Sequence, residues 1–488
     1  MKKFYITTSI AYTNAFPHIG YALESVQADV VARYNRRLGQ DVFFLTGTDE
    51  HGIKIAKAAE AETKSPQEFV DNISLKFKEL KKTLNLSSDD FIRTTDKRRH
   101  WPAVKEVWLK LEKNKDIYKK EYAGFYCSGC EVFIKKRDLK DGKCPIHLTE
   151  PEEIKEENYF FKLSKYLLKV KEAIKKDKIK IIPESRKNEI LSIINQDPED
   201  ISFSRPREKL KWGIPVPNDK TQVIYVWSDA LVNYISAIGY PKGDKFKKYW
   251  PADIHCIGKD ILKFHALIWP AMLLALKLPL PKNIFVHGFI TSGGQKMSKS
   301  LGNVVGPFEL ADKYGADALR YYLLKEIPST EDGDFTYEKF ENRYNSDLAS
   351  GIGNLLSRVR AMAESKIKAG QKIEIKTATK NIKLKKEIKK TEVKYKKAVE
   401  SFKFSEALKS IWELVSWCDK YINDQRPWED KKDSAQAVSN LLFALENISG
   451  LLDPFLPQTS ENIFNQIKID KNSFKNPKSS LLFPKIEH

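Results

Sequence analysis

The sequence lacks a hydrophobic run long enough to cross a lipid bilayer. The best candidate, residues 266–276, is flanked by Lys263 and Lys277 and interrupted by Pro270, whereas a spanning helix needs about 20 apolar residues. An export signal is missing as well, because the first residues lead directly into a strand-like segment instead of an apolar stretch with a cleavage site. We therefore expect a cytoplasmic protein without a membrane anchor.

Cysteine and acidic residues are also scarce. The chain has 5 cysteines in 488 residues, which excludes a disulfide scaffold, and it has 65 Asp plus Glu against 84 Lys plus Arg. The net charge of +19 favours a polyanionic partner such as a nucleic acid, although a lysine-rich proteome would explain it equally well. With 41% hydrophobic residues the chain can form large cores, and its length suggests about three domains.

Strand and helix patterns alternate in the first part of the chain. Residues 4–8 are typical of a buried strand, apolar residues recur every three or four positions from Ile19 to Leu38, and residues 42–45 predict the next strand. Gly39 is well placed to end the helix. A strand, a helix and a strand of this size predict a βαβ unit, so we expect a parallel sheet with helices on both faces.

The alternation is interrupted between about residues 120 and 215 and returns with predicted strands at 222–227, 253–256 and 284–286; after about 326 only helical spacing is strong. The predicted fold class is α/β, a Rossmann-like doubly wound parallel sheet split by an insertion and followed by an all-α helical bundle. The predicted domains are a first sheet half at 1–115, an insertion at 116–215, a second sheet half at 216–325, a linking segment at 326–350 and a helical domain at 351–488.

Three of the five cysteines lie within a short segment that also contains a histidine. The spacing is Cys127-x2-Cys130 followed by Cys144-x2-His147. Three thiolates and one imidazole would complete a tetrahedral Zn²⁺ site with no position left for water, which indicates a structural rather than a hydrolytic metal. The alternative is a set of buried cysteines without a metal.

A short motif, Pro17-His18-Ile19-Gly20-Tyr21, lies between the first predicted strand and the first predicted helix. In a doubly wound sheet, ligands bind beyond the carboxyl ends of the strands. Gly20 lets the backbone approach a ligand, the helix N-terminus offers N–H groups to a phosphate, and His18 can donate hydrogen bonds to it. Alone the motif is weak evidence for a phosphate site, since a histidine before a helix is more often a cap or a surface residue.

A second motif, Lys296-Met297-Ser298-Lys299-Ser300, follows a predicted strand and the flexible residues 292–294. Its two lysines lie three positions apart beside small hydroxyl residues. A mobile loop of this kind can close on a triphosphate and stabilise the transition state of attack at the α-phosphate. Taken alone, the pentapeptide would be an exposed basic turn.

Together the two motifs resemble the H-I-G-H and K-M-S-K-S signatures of class I aminoacyl-tRNA synthetases. The departure is Tyr21, which stands where the family usually has a second histidine. Further stretches make the resemblance specific to the methionyl-tRNA synthetase family, and it covers nearly the whole chain. These stretches are residues 11–14, 48–52, 225–230, 258–261, 264–265, 269–272 and 286–289.

The resemblance implies a set of site residues. The catalytic groups would be His18, Lys296 and Lys299. The ATP-binding residues would be His18, Gly20, Tyr21, Gly258, Asp260, Lys296, Met297, Ser298, Lys299 and Ser300. The methionine-binding residues would be Ile10, Tyr12, Asp49, Trp227, Ala230, Leu231, Tyr234, Ile261 and His265, with Asp49 on the α-ammonium. The anticodon-binding residues would be Asn354, Arg358 and Trp428, which assigns the helical domain at 351–488 to the anticodon.

The same resemblance implies the reaction and its partners. The activity would be ATP-dependent ligation of L-methionine to tRNA(Met) through methionyl-adenylate, with release of pyrophosphate and AMP. Mg²⁺ would accompany the phosphates of ATP, and Zn²⁺ would be structural. We expect a monomer, because the dimerising extension of some relatives has no counterpart after residues 484–486.

Two alternatives remain open. The nearer one is another class I synthetase, although the leucine, valine and isoleucine enzymes usually carry an editing insertion larger than the one predicted at 116–215. A cysteine enzyme would bring a zinc ligand into the active site, whereas the predicted ligands here all fall in the insertion. The farther alternative is a non-catalytic tRNA-binding relative, which Tyr21 favours and the intact lysine loop opposes.

Overall fold

The structure is a computed structural model that describes residues 1–127, 132–134, 136, 139–145, 148–297, 302–371, 373, 381–429, 433–470, 473–474 and 480–487. By their contacts the residues form two compact units. Unit 1 comprises Met1–Pro17, Asn35–Lys81 and Ser87–His287. Unit 2 comprises His18–Tyr34, Lys82–Leu86 and Gly288–His488.

The described strands are named in chain order. They are β1 (Lys3–Thr7), β2 (Ala11–Tyr12), β3 (Asp41–Asp49), β4 (Asp90–Arg93), β5 (Ile117–Cys127), β6 (Val132–Ile134), β7 (Glu152–Phe161), β8 (Lys180–Ile182), β9 (Ile201–Ser202), β10 (Ser204–Pro206), β11 (Pro215–Val216), β12 (Asp219–Ile224), β13 (Ile254–Gly258), β14 (Asn283–His287), β15 (Ile290–Ser292), β16 (Gln295–Lys296), β17 (Gly333–Phe335), β18 (Ile469–Asp470) and β19 (Ser473–Phe474).

The described helices are named in the same way. They are α1 (Ile19–Arg37), α2 (Ile53–Ala61), α3 (Pro66–Thr83), α4 (His100–Lys113), α5 (Leu167–Lys175), α6 (Glu184–Asn195), α7 (Val226–Ala230), α8 (Asn233–Ser236), α9 (Asp244–Tyr249), α10 (Trp269–Ala275), α11 (Pro307–Tyr314), α12 (Ala316–Lys325), α13 (Tyr337–Arg343), α14 (Asn354–Lys368), α15 (Ile382–Glu400), α16 (Phe404–Gln425), α17 (Ser434–Leu452) and α18 (Pro457–Gln466). Short 3-10 helices lie at Ser164–Tyr166 and Lys259–Ile261, and π-helices at Phe264–Ile268 and Tyr344–Gly353.

A parallel sheet forms the centre of unit 1. Its strands lie in the order β2-β3-β1-β13-β14-β8, and β4 pairs with β3. Every pairing is parallel, and Ile6 of β1 aligns with Phe44 on one side and Ile254 on the other. Tyr5 and Ile6 point to opposite faces and are both fully buried, so both faces are covered. The predicted α/β class with a parallel sheet is confirmed.

The strand predicted at 222–227 does not resume the parallel sheet, so that expectation is wrong. β12 ends at Ile224 and pairs antiparallel with β10 and β11 in a separate sheet, and Trp227 lies in helix α7. Only Pro217 and Asn218 join β11 to β12, with Asn218 at φ 65°. A connection this short makes neighbouring strands antiparallel, and hydrophobic periodicity does not contain that information.

The range predicted as an insertion, 116–215, contributes to more than one sheet. β8 lies at the edge of the parallel sheet, where Ile181 aligns with Ile284. Strands β6, β5, β7 and β9 form a separate antiparallel sheet, in which Gly124 aligns with Ile154. The domain boundaries drawn from the sequence stay a proposal.

Helices α14 to α18 dominate the C-terminal part of unit 2, which confirms the predicted helical domain. Helix α16 buries one stripe at spacings of three and four, namely Phe404, Ala407, Leu408, Ile411, Leu414, Val415, Cys418 and Ile422. The sequence did not predict β17 or the β18–β19 pair, because two- and three-residue strands leave no periodic pattern. Within the described parts of the chain, no helix is long and apolar enough to cross a membrane.

Candidate active site

The ends of β2 and β3 align Tyr12 with Asp49. Thr13 fixes the end of β3, because its backbone N–H and its hydroxyl both donate to the carbonyl oxygen of Asp49 at 3.0 Å. Asp49 is only 5% exposed. A carboxylate shielded from water in this way attracts an ammonium group more strongly than a surface carboxylate does.

Glu50 holds the loop that follows β3. Its carboxylate accepts from the Thr48 hydroxyl and from Nε of Arg93, each at 2.6 Å, and also from the Thr95 hydroxyl. Its backbone N–H donates to the Thr94 hydroxyl at 2.8 Å. Glu50 is fully buried, and these partners compensate its charge. Glu50 therefore positions the loop. The stretch 48–52 includes Glu50, but its sequence pattern does not indicate this role.

Asp229 joins this loop to helices α4 and α7. Its two carboxylate oxygens contact Nδ1 of His51 and Nε2 of His100, each at 2.6 Å, and all three side chains are buried. Burial raises the pKa of the Asp229 carboxyl, but the two histidines outweigh it and hold that pKa below its ordinary value. The ionised carboxylate can only accept, so both contacting ring nitrogens carry hydrogens, and Nδ1 of His100 lies 2.8 Å from the Ser236 hydroxyl.

Aromatic side chains line one region of unit 1. Trp227 and Phe264 are stacked, with ring centroids 3.7 Å apart and 9° between their planes. The Tyr234 hydroxyl lies 2.7 Å from Nε2 of His265, whose Nδ1 lies 3.0 Å from the carbonyl oxygen of Ile261. A carbonyl only accepts, so Nδ1 carries the hydrogen, and in the neutral ring Nε2 accepts from Tyr234. These bonds fix the orientation of both side chains.

These side chains lie on several short helical segments. Trp227 and Ala230 belong to the five-residue α7, Tyr234 belongs to α8, and Ile261 ends a 3-10 helix. His265 lies in a π-helix, a conformation that is frequent at functional sites. Several short helical segments, rather than one long helix, therefore carry these residues.

The remaining residues predicted for the amino-acid pocket are apolar. Ala230 and Leu231 are buried, and Ile10 and Ile261 are partly buried against the core of unit 1. All nine residues predicted to bind methionine lie in unit 1. Their direct contact with a ligand stays a prediction.

Gly258 is the last residue of β13, at the carboxyl edge of the parallel sheet, and Asp260 lies in the 3-10 helix that follows. Gly258 is buried and Asp260 is exposed. A Cβ at Gly258 would lie 2.8 Å from Oδ1 of Asp260, closer than real Cβ contacts allow. Glycine thus leaves room for the Asp260 carboxylate in the place where a ligand of a doubly wound sheet is expected.

His18 precedes α1, and Gly20 holds its ring. The backbone N–H of Gly20 donates to Nδ1 of His18 at 3.0 Å, so the neutral ring carries its hydrogen on Nε2. Surrounding protein partly dehydrates the ring and lowers the pKa of His18, although the side chain keeps an exposed edge. A Cβ at Gly20 would lie 2.7 Å from Cε1 of His18. At neutral pH, His18 therefore presents one N–H donor.

The second signature begins in a hairpin of unit 2. β15 and β16 pair across Gly293 and Gly294, both in the left-handed region, and the exposed Lys296 ends β16. Asp334 in β17 accepts from the Gly294 N–H and from the Thr291 hydroxyl, each at 2.7 Å. Burial raises the pKa of Asp334, but these bonds outweigh it and lower that pKa. No pattern in the sequence indicates that Asp334 has this role.

In unit 2, the residues that follow the second signature contact both signatures. The N–H of Ile19 donates to the carbonyl oxygen of Val305 at 3.1 Å. The side chain of Asn303 donates to the carbonyl oxygen of Lys296 at 3.2 Å. Met297 is half-buried, Tyr21 lies in the first turn of α1, and Ser298, Lys299 and Ser300 lie outside the described residues.

Two of the four predicted zinc ligands, Cys127 and Cys144, are buried, whereas Cys130 and His147 lie outside the described residues. In the part of the chain that is described, no group of three or more His, Cys, Asp or Glu could hold a metal ion. Thiolates and an imidazole are donors that Zn²⁺ prefers, so the chemistry of the four residues fits zinc. The zinc site stays a prediction.

Asn354 and Arg358 lie one turn apart on α14. Asn354 is exposed, and Arg358 donates to Asp419 at 2.9 Å and to Asn423 at 3.3 Å. Trp428 is 55% exposed. An exposed indole offers a face on which an unpaired base can stack.

The chain matches two family models. The model described as tRNA synthetases class I (M) matches residues 4–151 and 134–360. The model described as anticodon-binding domain of tRNA ligase matches residues 382–487. Together the two matches cover the signatures, the aromatic pocket and the C-terminal helices.

Curated proteins and solved structures give the same result. The Methionine--tRNA ligase of Caldanaerobacter subterraneus subsp. tengcongensis is 46% identical over 484 residues, which cover 96% of this chain and 75% of that protein. The Methionine--tRNA ligase of Thermotoga maritima is 43% identical over 485 residues, which cover 97% and 76%. A structure of Mycobacterium tuberculosis methionyl-tRNA synthetase in complex with methionyl-adenylate has a TM-score of 0.92 and 35% identity, and covers 99% of this chain and 100% of that one.

Proposed function

The chain belongs to the methionine–tRNA ligase family of class I tRNA synthetases, and we propose that it ligates L-methionine to tRNA(Met). The reaction consumes ATP and passes through methionyl-adenylate, the molecule bound in the similar Mycobacterium tuberculosis structure. Pyrophosphate leaves in the first step and AMP in the second.

The amino-acid pocket consists of the nine residues of unit 1 described above. Asp49 binds the α-ammonium, and Trp227, Tyr234 and His265 surround the thioether. Sulfur is polarizable and gains about 0.3–1.5 kcal/mol at aromatic edges. A purely apolar pocket distinguishes one methylene by only about 1–3 kcal/mol, so the polar Tyr234–His265 pair helps to reject leucine. This hydrogen-bonded pair within an aromatic wall is the observation that best supports methionine as the substrate.

In the first step a carboxylate oxygen of methionine attacks the α-phosphorus of ATP, and the bond to pyrophosphate breaks. The Nε2–H of His18 donates to the phosphate as its negative charge grows, and the ammonium groups of Lys296 and Lys299 stabilise the same charge. Further positive charge at the phosphates comes from Mg²⁺ when it is bound. Gly20, Tyr21, Gly258, Asp260, Met297, Ser298 and Ser300 complete the proposed ATP site.

In the second step the terminal ribose hydroxyl of tRNA attacks the methionyl carbonyl carbon, and AMP leaves. Trp428 stacks on an anticodon base, while Asn354 and Arg358 hydrogen-bond to base edges. A structural Zn²⁺ would be held by Cys127, Cys130, Cys144 and His147. We further propose that the protein is monomeric and cytoplasmic.

Amino-acid-dependent exchange of pyrophosphate into ATP tests this function directly. The assay is run without tRNA and with each of the twenty amino acids in turn. Exchange with methionine alone is the expected result, because only methionine satisfies both the ammonium site and the aromatic pocket. Exchange with leucine, valine, isoleucine or cysteine would point to another class I synthetase, and a folded protein without any exchange would be a non-catalytic relative.

A further inference from the structure

Helix α1 directly follows His18. In the sequence it stands between β2 and β3, two strands of the parallel sheet. Residues 18–34 nevertheless belong to unit 2, the unit that also contains the region 382–487 matched by the anticodon-binding model. One buried guanidinium, that of Arg320 in α12, contacts both α1 and residues 454–455.

Arg320 is fully buried and donates to several segments at once. Its Nε donates to the carbonyl oxygen of Phe455 at 2.7 Å, and its Nη2 donates to that of Pro454 at 2.9 Å. Its Nη1 donates to the carbonyl oxygen of Leu84 at 3.0 Å and lies 2.8 Å from Oδ2 of Asp29 in α1. Only the planar fork of arginine reaches partners in this arrangement, so lysine cannot replace it.

Asp29 is the acceptor on α1, and it is also fully buried. Nε of Arg33, one turn further along α1, contacts the same Oδ2 at 2.8 Å, and Arg33 donates to the carbonyl oxygen of Asn85 at 2.7 Å. A buried carboxylate between two guanidinium groups cannot shift without leaving charge uncompensated, which costs about 3–5 kcal/mol. The position of α1 relative to residues 454–455 is therefore strongly determined.

We propose that Arg320 is a positioning residue for His18, because it fixes α1 to the anticodon-binding region through Asp29. Ten residues separate Ile19 from Asp29, which is about 15 Å of continuous helix, so a shift at Asp29 moves the start of α1 as well. The anticodon-binding region thus sets the place of the imidazole that activates methionine. The inference rests on the proposed function and adds to it a residue that touches neither substrate.

Arg320→Lys tests the inference in pyrophosphate exchange with methionine, again without tRNA. The expected kcat falls on the order of 100-fold, the loss that a displacement of about 1 Å causes. KM for methionine stays unchanged, because the pocket residues all lie in unit 1. A smaller folded fraction would also lower the apparent kcat at unchanged KM, so the rate is expressed per folded molecule, with the folded fraction measured by circular dichroism.

Arg360→Lys is the matched control. Arg360 in α14 is also buried, and it donates to Gln466 at 2.9 Å and to Glu364 at 3.0 Å, both in the helical region. This variant should lower the melting temperature as Arg320→Lys does, yet keep the kcat of exchange. An equal loss of kcat in both variants would overturn the proposal.

Asp29→Asn provides a second test from the side of α1. It removes the charge that Arg320 binds and keeps the size of the side chain, so kcat should fall again with KM unchanged. If Arg320→Lys does not fold, Asp29→Asn decides alone, and a wild-type kcat in that variant overturns the proposal. Absence of exchange in the unaltered protein would instead contradict the proposed function, so the two failures are distinguishable.

Discussion

Single hydrogen atoms decide what the proposed site can do. Gly20 directs the hydrogen of neutral His18 to Nε2, and the carbonyl of Ile261 directs that of His265 to Nδ1. The residue types were predictable from the sequence because the signatures name them. The partners of the buried histidines were not predictable, since Asp229 lies 178 positions from His51 and 129 from His100.

Gly20→Ala should disturb His18 without touching the amino-acid pocket. The new Cβ would lie 2.7 Å from Cε1 of His18, so the ring must move and lose its bond to the backbone N–H. We expect kcat of pyrophosphate exchange to fall on the order of 100-fold, with KM for methionine unchanged. Gly306→Ala is the control, because a Cβ there meets no atom within 4 Å. Equal activity of both variants would contradict the role of Gly20.

Acid should remove the donor geometry of His18. Dehydration holds its folded pKa below the ordinary value of 6.5, so the imidazole stays neutral above that pH and gains a proton on Nδ1 at lower pH. The Gly20 N–H then loses its acceptor, and kcat of exchange should decline on the acid side. Because the unfolded chain binds this proton first, stability from this group is complete above pH 6.5 and decreases below it. An unchanged acid limb in His18→Asn would contradict the assignment.

At the scale of elements, the length of a connection can determine how a strand pairs, whatever its hydrophobic periodicity suggests. The predicted first helix begins and ends within one residue of α1, since a long amphipathic repeat is a strong signal. β12 was assigned to the wrong sheet because a two-residue turn determined its pairing. The π-helix at 264–268 could not be predicted, because π-helices are rare and apolar spacing indicates the common α-helix instead.

Asp229→Asn should loosen the loop after β3 from α4 and α7. The single oxygen of an amide cannot replace both carboxylate oxygens, so one histidine loses its acceptor. Loss of one partner in a buried charge network should lower the free energy of unfolding by about 3–5 kcal/mol. Urea denaturation measures this loss, and KM for methionine should rise because α7 carries Trp227. Asp244→Asn, at a fully exposed carboxylate, should change neither quantity. A variant as stable as the wild type would refute this account of Asp229.

Asp334→Ala should release the hairpin that carries Lys296. It removes the acceptor of Gly294 and Thr291, and two hydrogen bonds of about 1 kcal/mol each correspond to a loss of 10-fold or more in kcat. KM for methionine should not change, and the exposed Glu331→Gln serves as the control. Wild-type kcat in Asp334→Ala would show that the hairpin does not need this anchor.

At the scale of the whole molecule, each compact unit is built from segments that are not consecutive in the sequence. The sequence predicted a sheet domain followed by a helical domain, and both architectures are present. Residues 18–34 belong with the later part of the chain, however, through contacts such as that between Gln27 and Ser329, 302 positions apart. Contacts over this separation leave no periodic signal, so a single sequence could not predict which unit contains α1.

The most direct measurement is the charging of purified tRNA(Met) transcript with labelled methionine in the presence of ATP, compared with the same transcript after replacement of its CAU anticodon. We expect methionyl-tRNA to accumulate with the CAU transcript and charging to fall by at least 10-fold with the replaced anticodon, since each lost base contact costs about 1–3 kcal/mol. If a folded protein that makes adenylate does not charge the CAU transcript, the proposed reaction is contradicted. If both transcripts are charged equally, the proposed anticodon recognition is contradicted.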